Sequence, residues 1–321
     1  MNKSTLENKG FEVFPRAPYD MEKVMLKNGA DPHFVLDWEK KKLTFPMRVK
    51  ERAEEKNWKK TVVSITSLGT VDKPKLFVEI KGEPLSKPGL NWLAQHLTFQ
   101  FQWESDVLER FYEDMQGNSK LYNVLQEHRG LPLVLDEGIY EGLIKTIIHQ
   151  QLNLKFAQQL VVSLAHEFGE KLEVDGRDYY FIPTPSQLAT VPVEILRTKK
   201  FSQRKAEYIT GIAQKVSSGE LNFDELSSLS NEAFIQQLSK ERGIGVWTAE
   251  CILLYSLARP DLFPAGDLGI RNAVQRLEGL AERQTIEECR LWAKPYERWG
   301  SYLSIYLWES LGNNRLKAEE M

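Results

Sequence analysis

The chain has 321 residues, 42% of them hydrophobic and 11% aromatic, with a formal net charge of −3. That length holds roughly two or three compact domains, and the charge excludes a protein that coats nucleic acid with a uniformly basic surface. No apolar run reaches the ~18 residues of a membrane span, and the first residues lack the apolar core of a signal peptide. Two cysteines are too few for a disulfide framework or a four-cysteine iron–sulfur site, so an intracellular, reduced protein is expected.

Up to residue 130 the hydrophobic pattern alternates. Phe34, Leu36 and Trp38, then Leu43, Phe45 and Met47, then Val63 and Ile65, then Leu76, Val78 and Ile80 stand at every second position. Period two marks half-buried antiparallel strands, and Asp72-Lys73-Pro74 and Lys81-Gly82-Glu83-Pro84 supply turns between them. Helical spacing follows at Leu90, Leu93 and Leu97, and at Val107, Leu108, Phe111 and Met115. An α+β N-terminal domain over 1–130 is the expectation.

From Gly130 onward the spacing predicts helix throughout. Ile139, Leu143, Ile147 and Ile148 form one apolar stripe, and Phe156, Leu160, Leu164 and Phe168 the next. Ser202 suits the N-cap of a helix carrying Ile209, Ile212 and Val216, which Gly219 closes. A helix ending at Leu238 then runs into Gly243-Ile244-Gly245, and a second helix opens at once through Thr248 and Ala249. Glycines one residue apart let the backbone pass through angles that a Cβ forbids. The N–H groups freed beside a helix N-terminus suit a phosphate. Ile244 can pin the turn to the core, and Ala249 lets the second helix pack closely. Pro264-Ala265-Gly266-Asp267 next sets a carboxylate at the mouth of a further helix, as a plain N-cap, a functional anion, or both. An aromatic-rich helix from Tyr296 to Leu311 completes a helical core over 131–312, and 313–321 reads as a polar tail. The five histidines are scattered, and neither they nor the cysteines show metal-ligand spacing.

The hairpin followed by Gly266-Asp267 resembles the helix-hairpin-helix plus Gly/Pro-Asp signature of the HhH-GPD DNA glycosylase superfamily, and within it the 3-methyladenine DNA glycosylase II type. The stretches Ile147–Asn153, Phe181–Pro185 and Phe201–Ala206 also resemble that family. The resemblance implies an α+β fold in which a small β-rich N-terminal domain precedes an all-α, two-lobed helix-hairpin-helix glycosylase core. It implies base-excision repair of DNA, with alkylated purines flipped out and released by hydrolysis. Asp267 takes the position of the catalytic aspartate. Trp247 stands where strand-cutting relatives place a lysine, so the implied enzyme is monofunctional. Trp247 and Trp308 fall on base-pocket positions, with Tyr302 beside them; Tyr302 and Trp299 suit the core equally. Gln151 matches the wedge that holds the gap left by a flipped base, where some relatives carry leucine, and Leu152 is the alternative. Gly243, Ile244, Gly245 and Thr248 would grip the DNA backbone, while Arg204 and Lys205 either touch phosphate or buttress the site. Carbonyls of Ser239, Glu241 and Ile244 are the implied ligands of a structural monovalent cation, Na or K. No cofactor is required.

The residue chemistry is consistent with that implication. Loss of a base builds positive charge on the sugar, which a fixed carboxylate opposes. Alkylated purines are cationic, and an aromatic face attracts them by roughly 0.5–2 kcal/mol. The expected partner is double-stranded DNA with a damaged base, met by a monomer in the cytoplasm, nucleoid-associated if the cell is bacterial, with no membrane involved. Two other readings stay open at this point: a non-catalytic DNA-lesion binder, and a glycosylase for deaminated or oxidised bases. The tryptophan at the lysine position argues against the oxidised-base branch.

Overall fold

The computed structural model describes residues 10–29, 31, 33–51 and 58–312; the expected polar tail at 313–321 lies outside them. Strands β1 (Gly10–Val13), β2 (Val35–Asp37), β3 (Lys42–Lys50), β4 (Trp58–Ser67) and β5 (Leu76–Gly82) form one antiparallel sheet, ordered β1-β5-β4-β3-β2. Helices α1 (Met21–Asn28) and α2 (Lys87–Gln100) accompany it. The alternation works as expected: Leu43 and Phe45 of β3 lie opposite Ile65 and Val63 of β4, and share a core with Leu90, Leu93 and Leu97 of α2. β1 and α1 were not expected. α1 depends on Asp20, whose carboxylate accepts from the Glu22 and Lys23 N–H groups at 3.0 and 3.2 Å, an N-cap that satisfies otherwise orphaned donors.

The second face of β3 meets the rest of the chain rather than water. Buried Arg48 donates to the Glu170 carboxylate at 3.0 and 3.2 Å and to the Ile182 carbonyl at 2.9 Å, with its guanidinium over the Phe181 ring. β2 pairs only with residues 42–44 of β3. Beyond that point β3 is a sheet edge, where Pro46 is tolerated.

The remainder comprises α3 (Val107–Asp114), α4 (Ser119–Glu127), α5 (Ile139–His149), α6 (Leu154–Phe168), the hairpin β6 (Lys171–Val174) and β7 (Arg177–Tyr180), α7 (Pro185–Leu188), α8 (Val193–Thr198), α9 (Gln203–Ser218), α10 (Phe223–Ser227), α11 (Asn231–Leu238), α12 (Val246–Tyr255), α13 (Leu268–Glu278), α14 (Ile286–Ala293), a 3₁₀ turn (Lys294–Trp299) and α15 (Gly300–Ser310). The β6–β7 hairpin corrects the expectation of unbroken helix after Gly130. Asp175 and Gly176 both adopt positive φ, 52° and 74°, as a two-residue hairpin turn requires. The Asp-Gly pair was the available signal.

The two hydrophobic cores also divide earlier than residue 130. Phe111 of α3 packs against the rings of Trp299, Tyr302 and Tyr306, so α3 joins the helical core, as α4 does through Leu121 and Leu125. Their apolar stripes were legible, but their distant partners were not. Among the described residues no helix is long and apolar enough to cross a membrane.

Candidate active site

α13 starts immediately after Asp267, and Asp267 is its N-cap: Oδ1 accepts from the Ile270 N–H at 3.0 Å. The same carboxylate accepts from two indoles. Trp308 Nε1 donates to Oδ1 at 2.8 Å, and Trp247 Nε1 donates to Oδ2 at 3.1 Å. Cap and functional anion are therefore compatible here. The cap bond and the Trp308 indole share Oδ1 and fix the direction of a half-buried side chain, while the Trp247 indole holds Oδ2. Gly269 completes the arrangement, since a Cβ there would meet Asp267 Oδ1 at 2.9 Å and the Trp308 ring at 3.0 Å.

Trp247 also forms part of the wall of a 340 Å³ cavity between the N-terminal sheet and the helical core, within the roughly 300–1,000 Å³ range of ligand pockets. Phe34, Phe45 and Tyr255 supply further aromatic wall. Trp308 stacks on Tyr255, with ring centroids 5.9 Å apart and planes at 24°. The charged wall comes from three separate segments. Lys145 Nζ lies 2.7 Å from Asp31 Oδ2 and 3.8 Å from Asp136 Oδ1. Burial disfavours the Asp31 carboxylate, but the Lys145 charge outweighs it and holds the group down at about 2. Burial pushes Asp136 up to about 6 against the pull of Lys145. Burial and neighbouring Glu141 raise Glu137 to about 7. Lys27, whose ammonium lies 5.1 Å from the Tyr255 ring centroid, is pushed down by burial, with Glu309 opposing.

α11, the turn and α12 make the helix-hairpin-helix. Only one of its glycines needs glycine's freedom. Gly243 has φ +91°, and a Cβ there would fall 2.3 Å from the Tyr208 ring; a Cβ on Gly245 would meet nothing. Gly245 is instead the N-cap of α12, without a side-chain cap bond, and it and Val246 are exposed. Ile244 is buried and pins the turn. Facing the hairpin is the turn after α5. Gln150 Nε2 donates to the Gly243 carbonyl and to Thr248 Oγ1, each at 3.0 Å. Gln151 next to it is exposed with φ +56°, while Leu152 packs partly onto the core.

The HhH-GPD superfamily model, described as base excision DNA repair protein, matches residues 144–296, which include the hairpin and Asp267. The Bacillus subtilis (strain 168) protein named "Putative DNA-3-methyladenine glycosylase YfjP" is 33% identical over 92% of this chain and 96% of its own length. The chain belongs to the HhH-GPD superfamily, 3-methyladenine DNA glycosylase type. The 3-methyladenine DNA glycosylase of Archaeoglobus fulgidus superposes with a TM-score of 0.78, at 25% identity over 95% of this chain and 99% of that one. Schizosaccharomyces pombe Mag1, solved in complex with abasic DNA, superposes with a TM-score of 0.53 at 26% identity, over 65% of this chain and 97% of that one.

Within this HhH-GPD fold the residues expected at the site divide. Asp267, Trp247 and Trp308 converge. Tyr302 does not: it is 2% exposed and packs on Phe111, because α15 is buried on nearly every side and position 302 turns away from the cavity. Thr248, also 2% exposed, anchors Gln150 and offers no surface for DNA. Lys205 is 9% exposed, and its ammonium donates to the carbonyls of Ile147, Ile148 and Gln150 at 2.7, 2.9 and 2.6 Å. It buttresses and does not reach phosphate. Arg204 is exposed. Tyr255, Asp31, Asp136 and Lys145 escaped sequence reasoning, since none sits in a motif. The hydrophobic alternation did carry Phe34 and Phe45, but only as strand residues.

Proposed function

We propose that this HhH-GPD protein is a monofunctional DNA glycosylase that flips an alkylated purine out of the duplex and hydrolyses its N-glycosidic bond with help from Asp267. The observation that carries the reading is the Asp267 carboxylate, held by a helix N-cap bond and two indoles, one of which walls a cavity of nucleobase scale. As the base departs, positive charge develops on the deoxyribose. An oriented anion opposes it without reorganising, and can receive a proton from the attacking water. The flipped base would enter the cavity between Trp247, Tyr255, Phe34 and Phe45, whose ring faces favour a cationic heterocycle. Asp136 adds a carboxylate to that wall, suited to a base that is positively charged and bears an exocyclic amine.

Gly243, Ile244 and Gly245 would present the α12 N-terminus to a phosphate of double-stranded DNA, and Gln151 would fill the vacated stack. The carbonyls of Ser239, Glu241 and Ile244 are neutral oxygens of the kind that hold Na⁺ or K⁺. A cation there would add charge facing the same phosphate. Trp247, lacking an amine, supplies no Schiff-base nucleophile, which supports hydrolysis leaving an intact abasic site, by a protein acting as a monomer. The test is incubation with duplexes bearing single N7-methylguanine or 3-methyladenine, reading free base by chromatography and strand integrity by gel. Free base with uncut strand is expected. Strand cleavage faster than that of an abasic duplex without protein, or a protein–DNA adduct trapped by borohydride, would overturn the monofunctional reading.

A further inference from the structure

We propose that Lys205 is a positioning residue for DNA distortion: its ammonium clamps the turn that presents Gln151, and Gln150 ties the same turn to the hairpin. The inference rests on the wedge role proposed for Gln151. α5 ends at His149, and the last carbonyls of a helix have no partner within it. Lys205 Nζ, projecting from α9, supplies three donors to three acceptors, the carbonyls of Ile147, Ile148 and Gln150. An ammonium has three N–H groups, so none is left for a phosphate. A buried cation at a helix C-terminus also sits at the favourable end of the helix dipole.

The second tether comes from the hairpin side. Gln150 Nε2 is shared between the Gly243 carbonyl and Thr248 Oγ1. Immediately after the residue on which both tethers meet, Gln151 is held at φ +56°, a conformation a non-glycine residue keeps only where its surroundings over-determine it. A side chain pushed into a base stack receives an equal push back on its own turn. A loose turn would yield and let the stack close, so stiffness at residues 150–151 is what flipping requires. The Gly243 tether further makes the backbone grip and the wedge one rigid unit, so that phosphate capture sets where Gln151 enters.

The experiment compares Lys205→Met, which keeps an apolar stem but loses the donors, and Lys205→Arg, which keeps charge and donors. Base release is measured under single turnover from N7-methylguanine paired with cytosine, and from the same base in single-stranded DNA. Lys205→Met is expected to slow release from the duplex by about ten-fold or more, as loss of charge-assisted hydrogen bonds allows. On the single strand it should stay within about three-fold of the unmodified protein, a difference worth less than 1 kcal/mol. Lys205→Arg should recover part of the duplex rate. If Lys205→Met fails to fold, Gln150→Leu carries the same prediction. Equal loss on both substrates, or no loss on either, overturns the clamp. Failure of the unmodified protein to release the base from any substrate would instead overturn the proposed function.

Discussion

Asp267→Asn separates the two duties of one side chain. Asparagine caps helices about as well as aspartate, so its amide oxygen can keep the bonds now made by Oδ1 to Ile270 N–H and Trp308 Nε1. The amide nitrogen then replaces Oδ2 and faces Trp247 Nε1, donor against donor, where a 3.1 Å bond now stands. One lost hydrogen bond costs about 1 kcal/mol, which lowers Tm by about 2–4 °C in a domain of 150–250 residues. The chemical effect is larger. A unit charge ~4 Å from the forming sugar cation is worth about 4 kcal/mol at an effective dielectric near 20, or on the order of 10³ in rate. Single-turnover release of N7-methylguanine should therefore fall by about that factor, while affinity for an abasic duplex stays within a few-fold. An Asn variant within ten-fold of the unmodified rate would refute the electrostatic argument. So would a parallel collapse of DNA binding.

Three further outcomes are expected. Gly243→Ala must both strain a φ of +91° and drive a Cβ into the Tyr208 ring, costing about 2–4 kcal/mol; Gly245→Ala, with open space, should unfold like the unmodified protein. Chemical denaturation of both variants checks this contrast, and equal midpoints would contradict it. Asp136→Asn removes a carboxylate from the cavity wall and should lower the preference for cationic N7-methylguanine over neutral hypoxanthine by about 10–100-fold, the scale of a charge-assisted hydrogen bond; an unchanged rate ratio would rule Asp136 out as a charge reader. Glu250, pushed up to about 7 by burial with Arg290 opposing, binds a proton in the folded state between about pH 4.5 and 7 that the unfolded chain has released. Stability therefore falls as pH rises through that window. Glu250→Gln should be stabilised by about 2 kcal/mol relative to the unmodified protein at pH 8, after discounting for screening, and equal to it near pH 4. Parallel stability curves for the two proteins would remove the basis for this.

Legibility followed the range of the interactions involved. The hairpin could be read because its determinants are neighbours in the chain: a helix end at Leu238, positive φ at Gly243, a buried Ile244 and a small Ala249. The central strands β3 to β5 could be read for the same reason. Gly245, unlike Gly243, keeps an extended backbone that any residue could adopt. β1 and α1 were missed because the one is short and pairs with distant β5, while the other spans only eight residues, too few for its Met21, Val24 and Met25 spacing to stand out. Lys205 sits among exposed cations on an amphipathic helix, where a phosphate contact and an internal clamp look identical.

The sequence alone determined that a helix opens behind a glycine turn, that a carboxylate caps the next helix, and that residues of β3 to β5 form strands. Each depends on contacts within a few residues, which local stereochemistry settles. Tertiary structure decided which aromatic rings face the carboxylate and which disappear into the core, because α15 is apolar nearly all round and carries no periodicity to mark a face. It also decided that Asp31, Asp136 and Lys145 share one cavity wall. Such side chains meet only when the sheet docks on the helices, and no local pattern records that docking.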